Sequence, residues 1–527
     1  MAGNFLDTLK SQSVLNAARS GVTFGAVSPL NAPGYEAPVT ASPARRTWFP
    51  SIRDARADTL SDLPFNRAAS RELVRTNAIA AGAIRTNIDR IVGTGLALVA
   101  QPDRRVLGWS EDQQAEWKAK TQAEFSIWAD SKDCDQEATL NFYEMQALQL
   151  GGMLESGDVF TLMPSGKRTK TQPYSLRLQS VEADRVGPEK LTAYDKRNEA
   201  GGVRFDPTTG APSQFFLYDA HPGAWYSDAD SSRGKGRWID RVGQSGRLRM
   251  LHHFQKKRPG MVRGVPYLTP IVDCIKQIGR YTDAEIMAAV ISAYLTVFIK
   301  TPAGDAAPAF AGEDVSVPTD GDIGLGMGAV VGLAAGEEPV TVNPARPNPQ
   351  FGPFIESVMT QIGMALGIPR ELLVKQFNSS YSASKAALLD AWVYFRGMRY
   401  WLAGSFCQPI YETWLTEAVS LGRIVAPGFF TDPLMRWAYT RASWPGDSMG
   451  SINPKDEVDA YTRAIDARLM TREQAEWQLF GTDFNQTFDQ KADEIKRLAA
   501  ADMLPAAAPG AAVQPQPSGA PTKEPTE

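Results

Sequence analysis

Gly446-Asp447-Ser448-Met449-Gly450 has the G-x-S-x-G spacing that can expose a nucleophilic serine on a tight turn, and it also resembles the nucleophile segment of chymotrypsin-like proteases. Such a serine needs an adjacent base. The α/β-hydrolase order places a histidine after the serine, whereas His221, His252 and His253 all precede it, so that order is excluded. The chymotrypsin order permits His and Asp upstream but requires an all-β double barrel, and this chain is strongly helical in pattern. The segment reads as a loop entering the C-terminal helices, with a hydrolase using Ser448 as the alternative. Gly324, Gly326 and Ala329 fit G-x-G-x-x-A, but no βαβ alternation follows, so a glycine-rich turn is expected instead of a dinucleotide site. In Ser165-Gly166-Lys167-Arg168-Thr169 the glycine of a P-loop would have to stand at Thr161, so no P-loop is present.

His252 and His253 are adjacent on an expected strand, point to opposite faces, and cannot readily chelate one metal. Cys134, Cys274 and Cys407 lie far apart without a CxxC pair, so neither a disulfide framework nor a zinc site is expected. No cofactor is implied. Lys256, Lys257, Arg258 and Arg263 form the densest basic cluster, suited to phosphate, to an acidic partner, or to simple solvation on a loop. Trp392, Trp401 and Trp414 read as core and interface residues instead of base-stacking platforms. With 55 Lys plus Arg against 59 Asp plus Glu, the net charge of −4 lacks the basic excess of a free-standing nucleic-acid binder, so any DNA contact must be local. Composition is globular, and 527 residues suggest several domains.

The elements that would position these residues alternate in period. Residues 1 to 60, punctuated by Pro29, Pro33, Pro38, Pro43 and Pro50, read as an extended arm or as partly disordered. Met1–Arg19 lacks the apolar core and cleavage site of a secretory signal, so an intracellular origin is expected. Helical spacing begins at Arg67 and runs through Leu73, Ala80, Ile84, Ile88 and Ile91, followed by Gly93 and Gly95. Ser110 and Gln113 form a capping-box spacing for a second helix, and a third covers Leu140 to Leu154. A period of two then marks a β module at 159–163, 176–181, 203–205, 215–218 and 248–254, with Ser227 to Arg237 as a surface loop. Tyr267 to Lys300 reads as one helix of about 30 residues, and its longest apolar run, Ile286 to Ile299, is broken by Ser292 and Thr296 and too short to span a bilayer. Residues 301–345 hold Asp305, Glu313, Asp314, Asp320, Asp322, Glu337 and Glu338 with neither Lys nor Arg, and so repel phosphate. Phe351 to Leu366 is a further helix, Ser382 to Gly422 a long one that Pro409 should kink, and Pro454 to Leu504 is helical and charged. The Pro/Ala-rich tail, 505–527, reads as disordered. The residues alone suggest an assembly protein.

Several strings in order resemble the portal proteins of tailed phages, lambda-type. They are Arg71-Glu72-Leu73-Val74-Arg75-Thr76-Asn77, Ala80 to Ile84, Ile91-Val92-Gly93-Thr94-Gly95 and Glu155-Ser156-Gly157-Asp158-Val159. Leu176-Arg177-Leu178-Gln179, Glu182-Ala183-Asp184-Arg185, Arg258-Pro259-Gly260, Arg263-Gly264-Val265-Pro266 and Gly363 to Leu373 followed by Tyr381-Ser382 continue the series. The resemblance implies an α+β portal fold, assembled as a closed ring, usually a dodecamer, with wing (61–266), first stem helix (267–300), clip (301–345) and second stem helix (346–369). It further implies a tunnel loop (370–381), a long wing helix and return (382–450) and a crown (451–504). On it, Lys375, Gln376, Phe377, Asn378, Ser379 and Ser380 approach DNA, and Asp305, Glu313, Asp314, Asp320 and Asp322 offer the clip surface to partners. The implied partners are further copies of the chain, the terminase large subunit, major capsid and scaffold proteins, a head-tail connector and double-stranded DNA, with no membrane. The implied place is the capsid portal vertex of the virion, after assembly in the host cytoplasm. A minor capsid or scaffold protein without a channel is the other non-enzymatic alternative.

Overall fold

The computed structural model describes residues 53–189, 198–225, 235–294, 298–300, 338–340, 349–377, 380–448, 454–480 and 484–501. The fold below is that of the unit Ala55–Glu527. Helix α1 (Ala55–Leu60) replaces the end of the expected extended arm; residues 1–52 lie outside the described residues. The next helical stretch is a pair, α2 (Leu63–Thr76) and α3 (Ala78–Ile91). They break at Asn77, which is extended (φ −118°, ψ 123°) and whose side-chain oxygen accepts from the N–H groups of Ile79 and Ala80, capping α3. After the short β1 (Val99–Ala100) and α4 (Arg104–Leu107) comes α5 (Glu111–Ala129). Its capping box is formed as the spacing demands, with Gln113 N–H donating to Ser110 Oγ at 3.2 Å and Ser110 N–H to Gln113 Oε1 at 3.0 Å. A second box, Asn141 with Glu144, opens α6 (Phe142–Ser156).

The β module is two antiparallel sheets. Strand β2 (Asp158–Leu162) lies between β3 (Gln179–Val181) and β8 (Met250–Phe254). The strands β4 (Glu199–Ala200), β5 (Val203–Phe205), β6 (Pro212–Tyr218) and β7 (Gly236–Asp240) form the other sheet in that order. The loop expected over 227–237 therefore ends in strand, because β7 pairs with β6 from Gly236 onward; residues 226–234 lie outside the described set. Phe160, Val181, Val203, Phe215, Leu217 and Met250 form the core between the sheets.

The helix expected from Tyr267 to Lys300 is shorter. It starts after a 3₁₀ turn at Thr269–Ile271, since Pro270 has no N–H to donate, and α7 spans Val272–Tyr294. Phe298–Lys300 instead forms β9, paired antiparallel with β10 (Glu338–Val340), as suits the β-branched residues that follow the helix. Helix α8 (Phe351–Leu366) is followed by a short α9 (Arg370–Val374) and by α10 (Tyr381–Leu402). A five-residue π turn, Ala403–Cys407, joins α10 to α11 (Gln408–Ser420). That turn is how the chain accommodates Pro409: the ring cannot donate to the carbonyl four residues back, and the helix widens just before it instead of breaking. Helix α12 (Pro433–Thr440) precedes β11 (Ala442–Ser443), which pairs with β1, and the chain continues through α13 (Pro454–Asp466), α14 (Arg472–Phe480) and α15 (Phe484–Ala500).

An aromatic cluster within the main core joins early to late sequence. Phe125 on α5, 1% exposed, packs against Trp414 of α11 at 5.0 Å, Trp128 at 5.5 Å and Phe142 at 5.6 Å between ring centroids. Phe125→Ala should cost about 3–5 kcal/mol, read as a lower urea midpoint. A loss under about 1 kcal/mol would show that the site collapses freely and that this cluster is not the fold's centre.

Candidate functional site

The stretch between α8 and α10 is anchored at both ends and exposed between. At Gly367 (φ +67°) the last turn of α8 closes: Gly367 N–H donates to the Met364 carbonyl at 3.4 Å and Ile368 N–H to that of Gly363 at 3.0 Å. A Cβ on Gly363 would meet the Ile368 oxygen at 2.5 Å, which is why the approach requires glycine. Leu372 and Leu373 bury α9. Lys375 then turns left-handed (φ +54°), an uncommon conformation for lysine, and donates its N–H to the Glu371 carbonyl. Lys375, Gln376 and Phe377 are exposed, and Ser380 Oγ accepts from Ala383 N–H to start α10.

Arg370, the other cation here, pairs with Glu356 at 3.1 Å. Lys375 makes no ion pair among the described residues, so its ammonium is available to an anion. Lys375, Gln376 and Phe377 thus stand exposed directly after α9, and Ser380 caps the start of α10. Asn378 and Ser379, and all of Asp305, Glu313, Asp314, Asp320 and Asp322, lie outside the described residues.

The second concentration of charge is buried. Asp158, fully enclosed at the start of β2, accepts from Arg67 Nη2 at 2.6 Å, Arg263 Nε at 2.5 Å, His252 Nε2 at 3.0 Å and the Gly264 N–H at 3.2 Å. Burial alone would push this carboxyl up, but Arg263 and Arg67, with His252, hold it well below the usual carboxylate range. Arg67 continues to Asp184 at 3.1 Å, and Arg71 bridges Asp184 and Glu182, so three guanidiniums meet three carboxylates. Arg263 spends its remaining donors on the carbonyls of Ala183, Val186 and Gly201, each at 2.7 Å. Arg263 is thus 2% exposed and withdrawn from the basic cluster read as suited to phosphate, an acidic partner or solvation, leaving Lys256 and Lys257 exposed. Glu182, Asp184 and His221 also have ligand atoms within 4.8 Å of one another, but Arg71 and Arg67 already neutralise the two carboxylates.

Sequence reading named Asp158, Asp184 and Arg263 without joining them, and it missed Arg67 as their partner. The available signal was Arg67 itself, an arginine on the buried face of α2 with Leu63 and Ser70. The other histidines are also engaged: His253 Nε2 lies 2.9 Å from Thr161 Oγ1, and His221 Nδ1 accepts from Gly223 N–H. Ser448 Oγ donates to the Leu479 carbonyl at 2.9 Å, and Asp447 accepts from Thr94, which makes the Gly446–Ser448 segment a brace between distant parts of the chain.

The family described as phage portal protein, lambda family, matches residues 42–399. The chain belongs to that family. Portal protein B of Escherichia phage lambda is 23% identical over 491 residues, covering 89% of this chain and 90% of the relative. The portal protein of Escherichia phage N15 is 23% identical over 492 residues, covering 89% and 91%. Among solved structures, a chain from the virion of a native gene transfer agent particle is similar with a TM-score of 0.41 and 12% identity, covering 79% of this chain and 92% of that one. Portal proteins are virion components with a general role in DNA packaging. No helix among the described residues is long and apolar enough to cross a membrane.

Removing Asp158 leaves two buried guanidiniums facing each other. Asp158→Ala should lose about 3–5 kcal/mol of stability, while Asp89→Ala, which breaks the exposed Arg85–Asp89 pair, leaves the urea midpoint unchanged. Equal effects of the two would remove the cluster's structural importance. Acid should act through the same strands. Burial, with the neighbouring His252 adding, pushes His253 down to about 3, so below the ordinary value of 6.5 the unfolded chain binds the proton that the folded one refuses. Stability should fall as pH drops from 6.5 towards 3, and His253→Gln should flatten that slope; a urea midpoint constant between pH 7 and 4.5 would contradict it.

Proposed function

We propose that copies of the chain close into a ring, a dodecamer, around a channel that carries double-stranded DNA into the capsid and out again. In this reading the ring occupies one capsid vertex, nucleates procapsid assembly with scaffold and major capsid proteins, and docks the terminase motor before the head-tail connector. The observation that carries the assembly is the uncovered apolar surface of the long helices. Ile286, Met287 and Val290 on α7, and Phe354 and Met364 on α8, are exposed in the single chain, and α8 has only Glu356 as a charged residue. Packing between copies removes such surface from water, and rotation into a closed ring satisfies every copy equally.

Within that ring, α7 and α8 are the stem, residues 301–345 the clip that meets terminase and connector, and Lys375 to Ser380 the loop that approaches DNA. A conduit for any sequence must avoid base readout, and it must avoid deep phosphate neutralisation, because each released counterion strengthens binding that motion has to break. One lysine per copy with no ion pair among the described residues, beside amide and hydroxyl groups, gives contacts that form and release. Acidic residues elsewhere keep the duplex centred.

Negative-stain electron microscopy of the purified protein should show rings of about twelve copies with an axial hole that admits a duplex. Lys375→Glu should leave those rings intact and lower the fraction of DNA-filled heads or their retention of DNA. Monomers persisting with co-expressed scaffold, or unchanged packaging and retention in the variant, would count against the ring and the loop assignment respectively.

A further inference from the structure

Tyr267 is the point at which four helices meet the base of the exposed turn. Its backbone N–H donates to the Leu154 carbonyl near the end of α6 at 2.9 Å. Its hydroxyl donates to the carbonyl of Leu366, the last residue of α8, and accepts from Asn87 Nδ2 of α3 at 3.3 Å. Asn87 is itself fully buried and donates also to the Ala83 carbonyl at 2.9 Å. From α10, the ring of Tyr394 completes the enclosure: it would stand 3.6 Å from a Cβ on Gly367. Burial pushes both phenols up, so both stay protonated donors at any working pH.

A helix end leaves four carbonyls without intrahelical partners. In α8 the carbonyls of Gly363 and Met364 are taken by the turn at 367–368, and that of Leu366 is taken by Tyr267. The next residues are Gly367, buried Ile368, α9 and then Lys375, so the direction of the Leu366 peptide sets where the turn begins. The turn itself contributes little to its own placement, since Val374, Lys375, Gln376 and Phe377 are all exposed.

We propose that Tyr267 is a positioning residue for DNA passage: by tying the Leu366 carbonyl to α3 and α6 it fixes the height and direction of the Lys375–Phe377 turn. The proposal rests on the reading of that turn as DNA-facing. Tyr267 touches no DNA in it and acts through the backbone of α8 and α9.

The test has two arms. In the purified full-length protein without DNA, Tyr267→Phe should speed amide exchange at Ile368 and at 372–376 about tenfold, with β2 and β8 unchanged. A wild-type pattern at 368–376, or faster exchange spread equally through β2 and β8, overturns the clamp. In particles, Tyr267→Phe should form normal rings and yield fewer DNA-filled heads, with Lys375→Glu run beside it. Full packaging by Tyr267→Phe alongside a defect in Lys375→Glu overturns the positioning role alone. Full packaging by both variants overturns the DNA-facing reading and the proposal with it. Tyr394→Phe, which keeps the ring and the Tyr267–Leu366 bond but removes the second hydroxyl facing Tyr267, should package as wild type; a defect equal to that of Tyr267→Phe would assign the effect to the paired hydroxyls and sink the account in which Tyr267 acts through the Leu366 carbonyl.

Discussion

A carboxylate with no access to water has to be neutralised where it stands, and Asp158 draws four separate pieces of chain together around it. Arg67 comes from α2, His252 from β8, Arg263 and the Gly264 N–H from the loop after β8, and Asp184 with Glu182 extends the alternation of charge outward. Desolvating these ions costs more than a surface pair could return, so the geometry must be nearly complete for the arrangement to hold. It is complete: Arg263 alone meets both Asp158 oxygens and three carbonyls. Backbone packing allows this, for Gly157 and Gly264 approach so closely that a Cβ on Gly264 would stand 1.9 Å from the Gly157 oxygen. The helices before the β module are thereby locked to the strands inside it.

That lock lies just upstream of the proposed conduit surface. Three residues after Gly264 the chain reaches Tyr267, from which α7 departs and through which α3, α6 and α8 are tied. The charged groups of the frame are buried and paired, whereas the turn at Lys375–Phe377 is exposed and carries one lysine without an ion pair among the described residues. For a member of the portal family this division suits the work. Interactions with a moving duplex have to be weak and repeatable, so on the proposed reading of that turn strength sits in the support and not in the contact.

The buried histidines belong to the same economy of charge. His252 stacks on Phe160 with ring centroids 4.2 Å apart while donating to Asp158, and His253 faces the opposite side of β8 towards Phe406 at 5.5 Å. Adjacent residues on a strand thus serve two cores, one on each face. His252 is engaged by Asp158 and His253 by Thr161, and Ser448 holds α14 to the preceding loop.

Much of the fold was legible locally. The capping box at Ser110, the helices on either side of Gly93 and the period-two strands follow from short-range spacing, which acts within a few residues and so is written in sequence. The portal family, too, was legible in ordered strings between Arg71 and Ser382. Boundaries were less so: Tyr267 to Lys300 kept a helical period, but Pro270 and the β-branched residues before Lys300 cut it to Val272–Tyr294. The early arm likewise ends in α1. What only the tertiary structure decided is which charges and hydroxyls are shared across distance. Arg263 reads as a solvated cation beside Lys256 until Asp158, 105 positions earlier, is brought against it. Tyr267 reads as one more helical position until the Leu366 carbonyl, 99 positions later, meets its hydroxyl. Spacing encodes period and caps because those energies are local; the pairing of a buried ion or phenol is a property of the whole chain once closed.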